Sequence, residues 1–283
     1  MPTQRPTCTK EKLVALGLLK PLPLTSRHSN PMQDHHFDDL AVRFAQKIYG
    51  NNKGAIRLAV LQADLQEVLP AQPLRILDIG AGLGHMALWL AQQGHQVTLA
   101  EPSAAMLQQA QENFACHDTV ADFLHCDWQQ LAANPPQPFD LVLCHAVLEW
   151  LAEPAALIHH LSSLVKPGGW LSLAFYNKDA LVLHNLIKGN LRKLAKQRFA
   201  GDDGGLTPQQ PLDPRQVEQL LSDNGWLLQQ RSGIRVFHDY MQHRFRDKIA
   251  DDELIATELH YRQHPTLGPL GRYLHWLCQR PRE

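Results

Sequence analysis

Cysteine is scarce in this 283-residue chain, and the five it has (Cys8, Cys116, Cys126, Cys144 and Cys278) stand in no paired spacing. That pattern speaks against a disulfide framework or a zinc site and for a reducing, cytoplasmic setting. Long apolar runs are missing as well: nothing approaches the roughly 18 to 20 uninterrupted apolar residues that a membrane span needs. The formal net charge is only −1, far from that of a dedicated nucleic-acid-binding domain. No internal repeat is visible. No Ser-His-Asp or metal-ligand constellation is legible in the order of the residues, so neither a triad nor a metal is expected.

What is present begins with enough apolar material, 44% of the residues, for a sizeable core. The small net charge hides an asymmetry. Residues 1–159 carry 10 Lys and Arg against 15 Asp and Glu, whereas 160–283 carry 17 against 13. An anionic partner is therefore expected on the C-terminal half. Residues 1–31, with prolines at 2, 6, 21, 23 and 31, are expected to be a disordered extension, with Met32 as the true start. Residues 32–283 are expected to be a single functional domain.

The most informative stretch is LRILDIGAGLGH, Leu74 to His85. An apolar strand carrying Asp78 breaks into Gly80, Gly82 and Gly84 before a helix. Glycines at such a junction let the backbone turn sharply and approach a ligand, and exposed N–H groups at a helix start suit polar or anionic ligand groups. The dinucleotide fingerprint would need its third glycine at position 85, where His85 stands. The run Asp-x-Gly-x-Gly-x-Gly instead resembles the S-adenosylmethionine loop of class I methyltransferases. Glu101, closing the strand QVTLAE, stands where such folds hydrogen-bond the ribose hydroxyls. In this reading Asp78 supports the glycine turn and Glu101 holds the ribose.

The rest of the pattern agrees with an α/β fold. Helical spacing is expected over Phe37–Tyr49 and Ala55–Leu69, marking 32–70 as N-terminal helices. Short apolar strands then alternate with helices through 71–176, the cofactor-binding core. Strands are expected at Leu74–Ile79, Gln96–Ala100, Ala121–His125, Phe139–His145 and Trp170–Tyr176. Residues 177–283 should supply the substrate-facing elements and the closing strands. They begin with one long helix, Ala180–Phe199, followed by a breaker-rich linker, Ala200 to Leu212. A helix from Asp213-Pro214 and two strands, Trp226–Val236 and Arg272–Gln279, would close the sheet antiparallel. The predicted architecture is a class I methyltransferase, Rossmann-like, with a seven-stranded, mostly parallel sheet and helices on both faces.

Further cofactor positions follow from that architecture. Asp127, just past the third strand, sits where an acid or amide faces the adenine amine, with Trp128 or Gln129 beside the ring; the alternative for Asp127 is a helix N-cap. His145 ends the fourth strand, so its ring should enter the cleft. Arg57 offers a guanidinium fork for the methionine carboxylate, unless it is a solvated surface residue.

From Met32 onward the chain resembles the bacterial CmoM family of tRNA 5-carboxymethoxyuridine methyltransferases. The segments that carry the likeness are MQDHHFDDLAVRFAQKIYGNNKG, HAVLEWLAEP, KPGGWLSLAFYN, GIRVFHDY and LGRYLH. The resemblance implies methyl transfer to the carboxylate of 5-carboxymethoxyuridine at the tRNA wobble position, giving its methyl ester. It also implies cofactor-binding roles for Arg57, Gly80, Ala81, Glu101, the Trp128-Gln129 pair and His145. Gly82 belongs to the same loop. At Glu101 a shorter Asp would also serve.

A carboxylate acceptor is already ionised at neutral pH, with an ordinary pKa of roughly 4, and needs no general base. The site should therefore consist of orienting cations and donors. Tyr176, Asn177, Arg235, His238 and Tyr240 are the candidates, with Arg235 favoured because a carboxylate suits a guanidinium and Tyr176 beside it. For the tRNA anticodon loop, Lys188, Arg192 and Lys196 would form an i, i+4, i+8 stripe on one helix, with Phe199, Phe237 or Tyr240 available for stacking. The alternative is a solvated helix face. Two other readings stay open at this point: a methyltransferase of a small metabolite acid or phenol, and a non-catalytic S-adenosylmethionine-binding module.

Overall fold

The computed structural model describes residues 52–196, 208, 210–246 and 248–282. The anticipated extension 1–31 with its Met32 start, the helix Phe37–Tyr49, Phe199 and most of the linker at 200–212 lie outside the described residues.

Seven strands form one sheet in the order β3-β2-β1-β4-β5-β7-β6. The first half alternates as the periodicity predicts. Helix α1 (Asn52–Gln66) leads into β1 (Arg75–Ile79), α2 (His85–Gln92) and β2 (Gln96–Ala100). Then come α3 (Ala104–Cys116), β3 (Asp122–Leu124), α4 (Trp128–Ala133) and β4 (Phe139–His145). α5 (Pro154–Leu164) and β5 (Val165–Tyr176) complete this half, whose pairings are all parallel: β1 with β2 and β4, β2 with β3, and β4 with β5. Interior strands such as RILDI are buried along nearly their whole length, with Ile76, Leu77 and Ile79 apolar, because helices cover both sheet faces.

The chain moves outward from β1 to β2 and β3, then crosses back to β4 on the other side. That reversal opens a crevice at the carboxyl ends of β1 and β4. One core cluster packs α5 (Leu157, Ile158, Leu161, Leu164) on one face of the sheet, and the other packs α1 (Ile56, Val60, Leu61, Leu65) and α3 (Ala110, Phe114).

The second half departs from expectation twice. The long helix predicted for Ala180–Phe199 is two pieces, α6 (Lys178–Ile187) and α7 (Leu191–Ala195). Gly189, at φ +68°, follows the capping residue Lys188 and adopts the left-handed conformation that ends a helix. The closing strands do join the sheet, after α8 (Pro214–Asp223, capped by Asp213), but only β7 (Tyr273–Gln279) is reversed. It pairs antiparallel with both β5 and β6 (Leu227–Ile234), so β6 runs with the parallel set. Two short helices, α9 (His243–Arg246) and α10 (Asp251–Tyr261), lie between β6 and β7.

Candidate functional site

The glycine turn after β1 folds back on the end of β2: Gly80 and Ala81 both donate their N–H to the Ala100 carbonyl, at 2.8 and 3.3 Å. Gly80 has φ +64°, and a Cβ there would lie 2.6 Å from the Val147 side chain. Gly82, at φ +57°, has open space where a Cβ would stand. A side chain at 82 would project into the crevice that the turn borders, which a bound ligand needs clear.

The bracing assigned above to Asp78 is supplied by Glu101. Its buried carboxylate accepts from Gly82 N–H at 2.8 Å through one oxygen and from Ser103 N–H at 2.9 Å through the other. A carboxylate oxygen can accept more than one hydrogen bond, a ribose hydroxyl being one suitable donor. Burial, with the Glu101 charge nearby, pushes Asp78 up to about 8. At neutral pH Asp78 is mostly protonated and can donate as well as accept.

Arg57, Asp78, Gly80, Ala81, Gly82, Glu101, Asp127, Trp128, Gln129 and His145, the ten anticipated cofactor positions, all line one cleft. Asp127 realises its alternative reading too: it caps α4, accepting from Gln130 N–H at 2.7 Å within a capping box, while still facing the cleft. Trp128 follows it, its indole N–H buried without a partner among the described residues. Arg57 is not a solvated surface residue. It is 9% exposed and its guanidinium lies 4.4 Å from the centre of the Tyr273 ring.

His145 ends β4 as expected, but its Nε2 is engaged away from the cleft, 2.8 Å from Ser172 Oγ. Ser172 continues to His275 at 2.7 Å, and His275 Nδ1 to Asp64 Oδ2 at 2.7 Å. A Ser-His-Asp constellation thus exists, contrary to expectation, from residues scattered between positions 64 and 275. Ser172, His275 and Asp64 are wholly buried, so this serine is not a nucleophile open to substrate.

Further cleft residues that sequence analysis did not assign include His85, in the slot of the missing glycine, and Tyr273, at the start of β7. Glu149, just past β4 in the HAVLEW segment, is completely buried. Burial pushes it up to about 7, against the pull of Arg57 and of backbone N–H groups. An acid in an apolar segment after a strand end was the one available signal.

The anticipated substrate donors separate into two groups. Tyr240 and Asn177 are structural. The Tyr240 hydroxyl donates to the Leu270 carbonyl at 2.8 Å and to Ala180 at 3.2 Å. Asn177 caps α6 through its side-chain oxygen, and its amide donates to Pro269 and Gly271, each at 2.9 Å. Phe237 is partly buried and packs against the core.

Arg235, by contrast, sits in a built cluster. It has φ +60°, a left-handed conformation that costs energy for a residue with a side chain. The following loop is clamped by buried Glu258, which accepts from the N–H groups of Val236 (2.7 Å), Phe237 (3.3 Å) and His238 (2.9 Å). Arg235 and Arg272 approach the same oxygen of Asp239, at 3.6 and 3.5 Å. His238 lies 3.0 Å from the other oxygen.

Burial alone would raise the Asp239 carboxyl. The guanidiniums of Arg235 and Arg272, with His238 and Lys53, hold it well below the usual carboxylate range instead. Tyr176 stands under Arg272, 5.2 Å from ring centre to guanidinium, and burial pushes its hydroxyl up to about 12. Tyr273 connects this cluster to the cleft, since Arg235 also reaches its ring at 5.5 Å. Arg272 lies just ahead of β7, and its Nη1 is buried without a hydrogen-bond partner among the described residues.

Lys188, Arg192 and Lys196 are all exposed, but they do not share a helix: the break at Gly189 puts Lys188 at the end of α6 and the other two on and after α7. Among the described residues no group of three or more His, Cys, Asp and Glu could hold a metal ion, and no helix is long and apolar enough to cross a membrane.

Residues 54–247 match the family described as a methyltransferase domain. The chain is 40% identical over 257 residues to the tRNA 5-carboxymethoxyuridine methyltransferase of Escherichia coli (strain K12), covering 88% of this chain and 98% of that protein. It is 30% identical over 164 residues to a ubiquinone biosynthesis O-methyltransferase of Albidiferax ferrireducens, covering 56% of this chain and 63% of that one. Among solved structures, magnesium protoporphyrin IX methyltransferase from Synechocystis PCC 6803 with bound SAH superposes with a TM-score of 0.58 at 18% identity, over 86% of this chain and 95% of that one. The fold is shared, and S-adenosylmethionine is the cofactor for which the clear space beside Gly82 and the braced turn are suited. With its domain match over most of its length and a relative covered almost end to end, the chain belongs to the class I methyltransferases and, within them, to the tRNA 5-carboxymethoxyuridine methyltransferase family.

Proposed function

We propose that this enzyme methylates the carboxylate of 5-carboxymethoxyuridine at the wobble position of tRNA, giving the methyl ester, in the cytoplasm. The observation that carries the reading is the cluster beyond Tyr273, where two guanidiniums share one protein carboxylate and Arg272 keeps a buried donor unused. Such a cluster has capacity for one more anion. A carboxylate fits the planar fork of an arginine.

When bound, S-adenosylmethionine supplies an electrophilic methyl group on a positively charged sulfur. The protein's task is then positioning. Glu101 holds the ribose hydroxyls while keeping the turn in shape, Asp78 supports the same end of the cleft, and Asp127, Trp128 and Gln129 border the base. Arg57 and His145 face the amino-acid end. Arg235 and Arg272 orient the acceptor carboxylate, with Tyr176 backing Arg272, and Tyr273 joins this cluster to the cofactor cleft. No proton leaves the acceptor, so no general base is needed; alignment and removal of water supply the rate. Arg192, Lys188 and Lys196 serve as phosphate contacts that position the anticodon loop without reading its sequence.

Nucleoside mass spectrometry tests this directly. tRNA from a strain lacking the gene should contain the free acid, and purified protein with S-adenosylmethionine should convert it to the methyl ester. Label from the cofactor appearing in small molecules, with none in tRNA, would overturn the reading.

A further inference from the structure

The polar chain behind His145 crosses an otherwise apolar layer between the sheet and α1. His145 (β4), Ser172 (β5) and His275 (β7) project from neighbouring strands on one face, and Asp64 of α1 closes the line. Its three links measure 2.8, 2.7 and 2.7 Å. Asp64 Oδ1 in turn accepts from Arg262 Nε at 2.8 Å and from the Gln230 amide at 3.0 Å. Burying so many polar groups is costly unless each is satisfied, and such networks tend to be retained for what they specify.

The polarity of this chain can be followed from its charged end. Burial would raise Asp64, but its bonds to His275 and Arg262 hold it below the ordinary value, so it is an acceptor only. His275 Nδ1 must then carry a hydrogen. Arg262 shares its charge between Asp64 and Glu67, and the direction of the chain follows for a neutral His275, whose Nε2 is then bare. The Ser172 hydroxyl donates to that nitrogen, and its own oxygen accepts from His145 Nε2. Burial, with His275 and Arg57 nearby, keeps His145 well below its usual value and hence neutral. Its one proton is then fixed on Nε2.

We infer that Asp64, acting through His275 and Ser172, is a positioning residue that locks His145 as its Nε2–H tautomer and presents the bare Nδ1 to the cofactor cleft as an acceptor. The ligand group it would take is an N–H or O–H donor of the bound cofactor, the amine of the methionine moiety being the donor class nearest Arg57's end of the cleft. This rests on His145 belonging to the cofactor cleft and not on which molecule receives the methyl group, so the tRNA assay can fail without touching it.

The test uses substitutions that reverse or cut the chain. In Asp64→Asn, Arg262 and Gln230 draw the new carbonyl oxygen, which turns the amide N–H₂ toward His275 Nδ1. Every hydrogen then shifts along the chain, and His145 meets the cleft with Nδ1–H, a donor facing a donor. Affinity for S-adenosylmethionine by calorimetry should fall about tenfold or more, the loss expected when a buried donor is left unpaired. Ser172→Ala only disconnects His145, which can again adopt either tautomer, and should cost at most about threefold by the same reasoning. The double variant Asp64→Asn/Ser172→Ala should therefore recover to near the Ser172→Ala value.

A merely structural chain predicts the opposite, a double variant at least as weak as Asp64→Asn, and that result would overturn the inference. Imidazole ¹⁵N spectra of the unsubstituted protein give a second, independent reading: His145 should show protonated Nε2 and bare Nδ1. Protonated Nδ1 there, or a single unchanged tautomer in Ser172→Ala, would also overturn it, even if Asp64→Asn failed to fold.

Discussion

The cofactor cleft and the arginine cluster sit on either side of Tyr273 and treat a buried carboxyl in opposite ways. In the cleft, Asp78 lies beside another acid and is pushed up to about 8. In the cluster, Asp239 lies among Arg235, Arg272 and Lys53 and is held well below the ordinary range. The environment and not the residue type sets the charge. One side has carboxyl oxygens to offer to hydroxyl and N–H donors and to a cationic sulfonium. The other has surplus N–H donors for an anion. A methyl transfer from a cation to a carboxylate needs these two surroundings adjacent, so that oxygen, methyl carbon and sulfur can line up.

The comparison is most sharply tested at Glu101. Glu101→Ala removes the acceptor of the Gly82 and Ser103 N–H groups together with the acceptor proposed for the ribose. We expect S-adenosylmethionine affinity to fall about 100-fold or more, two charge-assisted hydrogen bonds' worth, with the fold retained by circular dichroism. Near-normal calorimetric affinity in a folded variant would remove Glu101 from the cofactor side.

On the other side of Tyr273, Arg235→Ala and Arg272→Ala should each lower the maximal methylation rate of modified tRNA about 10- to 100-fold, the range for losing one oriented charged donor. Cofactor affinity should stay within about twofold. If either variant loses cofactor binding instead, the two surroundings are not separate in function.

Glu149 probes the boundary through pH. Its folded pKa of about 7 lies above the ordinary 4.5, so between these values the folded state holds a proton that the unfolded chain has released. Stability from this group is therefore fully present below pH 4.5, declines as pH rises toward 7, and changes little above it, with a slope of at most about 1.4 kcal/mol per pH unit. Glu149→Gln should flatten that decline in urea titrations at pH 5, 6 and 7. An unchanged slope would mean that the carboxyl is not protonated in the fold.

The smallest effect is expected on the surface. Replacing Lys188, Arg192 and Lys196 together should weaken tRNA binding and reduce the slope of log affinity against log salt by up to roughly 2 units, leaving the rate at saturating tRNA unchanged. Parent-like binding across a salt titration would shift attention to exposed Arg244 and Lys248 and to Arg246. There the Arg244 guanidinium lies 4.7 Å from the half-exposed Phe245 ring.

The two sides also differ in how far the order of residues revealed them. The turn LDIGAGLGH, the strand-ending Glu101, Asp127 and His145 were legible because each follows a strand of a parallel sheet, and such strands deliver their next residues to one edge. Local chemistry is enough there: glycines permit the turn, and Ser103, Asp127 and Asp213 start helices by capping them. Arg235 was legible only as a guanidinium in an unusual segment. Asp239, Arg272 and Tyr273 fall in the segments GIRVFHDY and LGRYLH that carry the family likeness, but nothing there, or at Glu258, marked their roles, since solvated charges look the same in a string of letters.

The predicted long helix failed for a related reason. Periodicity across Ala180–Phe199 outweighed a single glycine, yet Gly189 in the left-handed region was enough to end it. The three basic residues expected on one helix are spread over its two pieces instead.

By itself, then, the sequence determined the alternating α/β order, the glycine turn, the acids at successive strand ends and the family. These depend on neighbours within a few residues and on side-chain period, which a linear chain states directly. Only the tertiary structure decided which acid braces the turn, that β7 alone is reversed, and that Arg235 and Arg272 share Asp239 beside Tyr273. It likewise brought Asp64, Ser172 and His275 into line behind His145. Those outcomes depend on burial and on contacts between residues as many as 211 positions apart, where a charge takes its meaning from what folding places around it.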